Sequence, residues 1–152
     1  MCSYFSNHFR VFIILNPNRI IANLVAHPVL ESVTFVSARA LMAYIFIVAG
    51  WGKIAGYEAT VGYMQAMGVP AELLPVTILL ELGGGLAILF GLQTRVVAAL
   101  LAGFSLVTAF LFHGTPEDAV NFMKNFAMAG GLLLLVLQGA GRFSLDHLIE
   151  HQ

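Results

Sequence analysis

Glu81 lies inside an almost unbroken apolar run, PVTILLELGGGLAILFG at residues 75–91, and Gly83, Gly84 and Gly85 follow it directly. An ionisable side chain in such a run is costly in hydrocarbon, so it should face protein or trapped water and have a partner. Gly84 and Gly85 stand one turn further on, where missing side chains let another helix come close. The polar residues that can share a level with Glu81 are Lys53, Lys124, Asn125 and His113. In a functional reading, Glu81 accepts a hydrogen bond or proton from a small ligand, and Lys124 or Lys53 sets its protonation. In a structural reading, a lysine only neutralises the acid and the pair holds the helices in register. The sequence leaves both open.

Depth decides which of these groups can meet. Glu81 is six residues after Pro75, about 9 Å below the outer end of its helix at about 1.5 Å per residue. Lys53 closes the first apolar span, Lys124 stands one turn inside the fourth, and His113 ends the third. All belong to the outer half, which predicts a polar pocket opening outward with Trp51 at headgroup level. Arg39 is twelve residues before Trp51, about 18 Å along a helix, and so belongs to the inner half. Its long side chain is expected to snorkel to the inner surface; reaching Glu81 needs a bent path or water.

Several chemistries are excluded or disfavoured. Of His8, His27, His113, His147 and His151, only His113 is near a span, so two facing axial haem ligands are not available. No H-x-x-x-H, H-E-x-x-H or carboxylate pair lies within a span to support a metal site there. The single cysteine, Cys2, rules out an internal disulfide or a C-x-x-C redox pair. No catalytic residue is assigned. Ser105 and Thr108 in the third span are expected to bond back to their own helix. A quinone platform built from some of the twelve phenylalanines would look no different in sequence from core or lipid-facing residues.

The elements that must hold these groups follow from composition. The 152 residues suffice for one domain, are 59% hydrophobic and 10% charged, and have a mean hydropathy of +0.88. A water-exposed surface cannot be covered with so few charges, so the solvent is the lipid bilayer. A net charge of −1 with scattered basic residues argues against nucleic acid. Four segments, about 33–51, 74–91, 96–112 and 121–138, have the length to cross a bilayer and are punctuated by glycine or proline. The fold class is therefore all-α, an integral membrane four-helix bundle. Residues 57–67 predict a short interfacial helix between the first and second spans, ended by Gly68-Val-Pro70. Small residues four apart (Gly83/Ala87, Ala99/Gly103, Ala127/Gly131, Gly52/Gly56) mark candidate packing faces, with Gly130 beside Gly131. The connection at 92–95 makes the second and third spans antiparallel neighbours. Ser144 is the expected N-cap of a surface helix over 144–150. Residues 1–30 read as a surface or disordered leader, or as an upstream start that adds residues of no function. Arg10, Arg19, Arg95 and Arg142 share one side, with Arg39 nearer to it, against Lys53 and Lys124 on the other. The positive-inside rule then puts both termini in the cytoplasm.

An ordered series of motifs resembles the DoxX family of small bacterial inner-membrane proteins. It runs from Arg39 through Gly50-Trp-Gly-Lys53, Gly68-Val-Pro70, Glu81-Leu-Gly-Gly-Gly-Leu and Gly91-Leu-Gln-Thr-Arg95. It continues through His113, Phe122-Met-Lys-Asn-Phe126 with Gly130-Gly131, and Ser144-Leu-Asp146, covering about 33–149. The resemblance implies a four-helix domain over 31–152 with cytoplasmic termini. It also implies an accessory, non-catalytic part in a quinol oxidase or another membrane redox or oxidative-stress system. That implies quinone as the candidate ligand and other membrane redox subunits, or further copies of the chain, as partners. The rival functions are a small oligomeric proton-coupled transporter and a purely structural assembly protein.

Overall fold

The computed structural model describes residues 16–150. Cys2, His8, Arg10, the apolar stretch 11–15 and His151 lie outside them. The described residues are mostly helical, with no strand among them. By its internal contacts the chain divides after Phe35.

The first unit contains α1 (Pro17–Val25) and the opening turns of α2 (Pro28–Ala55). Asn16 caps α1 by accepting from the Asn18 N–H at 3.0 Å, and Pro17 occupies the first helical position, where a missing N–H costs nothing. The later part of the expected leader is thus helical. Pro28 likewise opens α2, so the first span begins five residues earlier than the apolar count predicts.

The second unit begins at Val36. After α2 come α3 (Tyr57–Ala66), α4 (Ala71–Phe90), α5 (Thr94–Phe112), α6 (Pro116–Gln138) and α7 (Leu145–Glu150). Four of these helices, α2, α4, α5 and α6, are long and apolar enough to cross a bilayer. The ten residues of α3 are too few to cross, as the sequence predicts. Large apolar side chains such as Leu41, Leu79, Val120 and Leu137 are exposed on the protein itself, as lipid-facing positions must be. The core is built from Ala43, Phe46, Ile88, Ala98, Leu101, Ala102, Ala129, Leu132 and Leu135.

Small residues set how closely the helices approach, though not always those that the four-residue spacing picks out. A Cβ on Gly85 would come within 2.9 Å of Ile47 and 3.2 Å of Phe46, and one on Gly84 would press Leu101 at 3.3 Å. Gly131 faces the tip of Met42. Gly130 and Gly103 have open space around them, and Gly83 meets only Leu79 of its own turn. Among the described residues, therefore, neither Gly130 nor Gly83 packs against another helix. A close helix-to-helix approach missed by the spacing argument is at Gly50, whose missing Cβ would sit 2.8 Å from the Leu82 amide.

At one end, a clasp joins the α4–α5 turn to the C-terminal segment. Gly91 adopts φ +69, and Leu92 N–H reaches the Ala87 carbonyl at 2.8 Å, a left-handed glycine stop. Asp146 then caps α5 from far along the chain, accepting from Gln93 N–H at 2.6 Å and Thr94 N–H at 2.8 Å. Its own N–H donates to the Gly91 carbonyl at 2.8 Å. Arg95 donates to the Val136 and Leu137 carbonyls at 2.6 Å, meeting the carbonyl end of α6 with a positive charge. Ser144 caps α7 by accepting from His147 N–H at 3.2 Å, as expected.

Candidate functional site

The Glu81 region of α4 is not regular helix. Residues Leu79–Gly83 form a widened turn with i→i+5 bonding, a feature that recurs at functional sites because it re-aims a side chain. Gly50 brings the α2 backbone against Leu82, next to the acid. Lys53, one turn further along α2, is thereby carried to Glu81. Its Nζ lies 2.9 Å from Oε1 and 2.7 Å from Oε2. Only Oε1 is met along a hydrogen-bonding direction. Oε2 is in ion-pair contact but keeps an unfilled acceptor position, and Glu81 as a whole is 6% exposed. Of the two lysines that could serve the acid, the structure selects Lys53. Lys124 donates instead to Asn121 Oδ1 at 2.7 Å.

The pair borders a cavity of about 830 Å³, within the range of small-molecule sites. Stripes from α2 (Ile45, Ala49, Lys53), α4 (Leu73, Thr77, Leu80) and α5 (Phe104, Thr108, Leu111) form its walls. Lys124 and Asn125 from α6 and His113 from the end of α5 also line it. Asn125 is buried and donates to the Asn121 carbonyl at 3.0 Å. His113 Nδ1 is hydrogen-bonded to Asp118, which also accepts from Asn121. The structure thus gathers Glu81, Lys53, Lys124, Asn125 and His113 around one space. Ser105 and Thr108 also bond back to their own helix, at 2.8 and 3.0 Å.

Arg39 is not part of this space. It is 2% exposed, against the expectation that it snorkels to the surface, and donates to the Phe143 carbonyl at 2.6 Å. Its guanidinium fills the volume where Gly91 lacks a Cβ, so it belongs to the clasp. A backbone carbonyl in an irregular segment leaves no side-chain signal from which that partner could be read.

The sequence reading missed the part played by α3. Gly56, Ala59, Thr60 and Tyr63 line the cavity, spaced i, i+3, i+4, i+7, a helical face that the sequence does carry. The Tyr63 ring stacks on Phe112 with centroids 5.6 Å apart. Among the described residues there is no group of three or more His, Cys, Asp or Glu placed to hold a metal ion.

A bundle of four helices able to span a bilayer, with an ion pair sunk beside an apolar cavity, defines the class, a multi-pass membrane protein. The DoxX family model matches residues 35–114, and the chain belongs to the DoxX family. It is 56% identical over 124 residues to "Inner membrane protein YqjF" of Escherichia coli (strain K12), covering 80% of this chain and 95% of that one. It is 34% identical over 119 residues to "Inner membrane protein YphA" of the same strain, covering 72% and 85%. A similar likeness, 34% over 112 residues and covering 71% and 81%, links it to "Putative oxidoreductase CatD" of Bacillus subtilis (strain 168). No solved structure matches the chain significantly.

Proposed function

We propose that the protein is a non-catalytic accessory component of a quinol oxidase or another membrane redox or oxidative-stress system, and that its cavity holds a quinone-type headgroup on the Glu81–Lys53 pair. The observation that carries this reading is a buried carboxylate, in ion-pair contact with Lys53 and with acceptor capacity left on Oε2, set beside a largely apolar cavity of about 830 Å³. A quinol hydroxyl can donate to Oε2 while a ring oxygen accepts from Lys53 Nζ, and Tyr63 and Phe112 offer aromatic surface to the ring. The oxidoreductase name of one relative agrees with a redox setting. Partner subunits of that system, or further copies of the chain, complete the assembly.

The test is purification in mild detergent, identification of co-purifying quinones and partner chains, and titration with quinones. Glu81→Gln is expected to insert normally and to lose quinone affinity or partner retention. Purified protein without quinone affinity and without an oxidoreductase partner overturns the reading.

The direct Lys53–Glu81 contact also favours a purely structural role, in which the pair only sets register. That reading predicts an unchanged phenotype when both residues are made apolar together. The basic residues Arg19, Arg95 and Arg142 support cytoplasmic termini. A C-terminal fluorescent fusion is then bright and a C-terminal alkaline phosphatase fusion inactive.

A further inference from the structure

The cavity wall is not sealed on its α4–α5 side. Beyond the widened turn, residues Gly84–Phe90 of α4 pack on α5, and among the described residues the contact between these neighbours is concentrated there. On the Glu81 side of that turn the two helices part. Val76 and Leu73 of α4, and Val107 and Leu111 of α5, line the cavity and are at the same time exposed; Val76 is 62% and Val107 56% exposed. A side chain that borders an internal space and faces the surrounding solvent marks an opening; Tyr63 and Lys124 do so at polar edges of the cavity, and the α4–α5 edge is the aliphatic one. For two spanning helices that solvent is hydrocarbon, and all four side chains at this mouth are aliphatic.

We propose that the cavity takes its occupant sideways from the bilayer between α4 and α5, and that the occupant is a long-tailed amphiphile with a hydroxyl-bearing headgroup. The inference rests on the reading of the cavity as a quinone-type headgroup site and adds the route and the tail. The headgroup meets Glu81 Oε2 and Lys53. The tail lies between Val76 and Leu73 on one side and Val107 and Leu111 on the other, and continues into the acyl chains. A water-soluble ring has no use for such a slot, whereas each tail methylene held against it adds apolar contact.

The test uses the full-length protein in detergent micelles and two reduced probes, decylubiquinol and the tail-less 2,3-dimethoxy-5-methylhydroquinone. Val107→Trp and Val76→Trp place an indole in the mouth, and Leu41→Trp, at an exposed α2 position that does not line the cavity, is the control. Partition of each probe into micelles is the same for every variant, so ratios between variants isolate the mouth. The expected result is a loss of about tenfold or more in decylubiquinol affinity for Val107→Trp and Val76→Trp, the equivalent of about two methylenes kept from contact. Tail-less probe affinity stays within about twofold of the parent, and Leu41→Trp matches the parent for both probes. If the mouth variants leave both probes unchanged, or weaken both equally, the side opening is wrong while the headgroup site stands. If neither probe binds the parent protein, the headgroup reading itself falls and takes the inference with it.

Discussion

At the scale of single residues, the Lys53–Glu81 pair asks for unequal treatment of its members. Removing one partner strands the other in a poorly solvated place, so Lys53→Met is expected to destabilise the protein by about 3 kcal/mol, read as a drop in melting temperature in detergent. Glu81→Leu combined with Lys53→Leu removes both charges and is expected to restore most of that stability, because a well-packed apolar pair is often no worse than a buried ion pair. If the pair also serves a ligand, the double variant stays folded but does not bind quinol. Stability and binding then part company, which a register-setting role alone does not allow. That Glu81 needs a cation was legible in its apolar surroundings. Which lysine supplies it was not, because the answer depends on the α2–α4 approach at Gly50.

The element scale shows why glycine counting misleads. Spacing of small residues marks a face, but only the neighbouring helix decides whether that face is used. Gly50→Ala is expected to push α2 off the Leu82 backbone, cost about 1–3 kcal/mol and weaken quinol binding as Lys53 withdraws from Glu81. Thermal melts and the same binding titration check both outcomes. Gly130→Ala, on an open face, is expected to be neutral or stabilising by up to about 1 kcal/mol through helix propensity. The four spans, their glycine and proline stops, and the Ser144 cap were readable because hydropathy and capping are local. The widened turn at Leu79–Gly83, the Asp146 cap and the seat of Arg39 were not, because each is fixed by backbone geometry or by residues far away in the chain.

Across the second unit, the residues that look alike as motifs divide into two working ends. Arg39, Gly91, Arg95, Ser144 and Asp146 build the clasp, and Lys53, Glu81, His113, Lys124 and Asn125 border the cavity. Asp146→Ala is expected to cost about 1–2 kcal/mol by uncapping α5 while leaving quinol affinity within about twofold, because the clasp does not line the cavity. A fall in affinity matching the fall in stability would mean that the two ends are coupled. The Asp146 cap also carries a consequence for biogenesis. The turn between α4 and α5 emerges from the ribosome some fifty residues before the carboxylate that finishes it. Until that carboxylate arrives, the Gln93 and Thr94 amides have only water to bond. The α4–α5 hairpin is therefore made before its cap can form, and a chain truncated ahead of Asp146 presents a hairpin that lacks it for quality-control proteases to recognise.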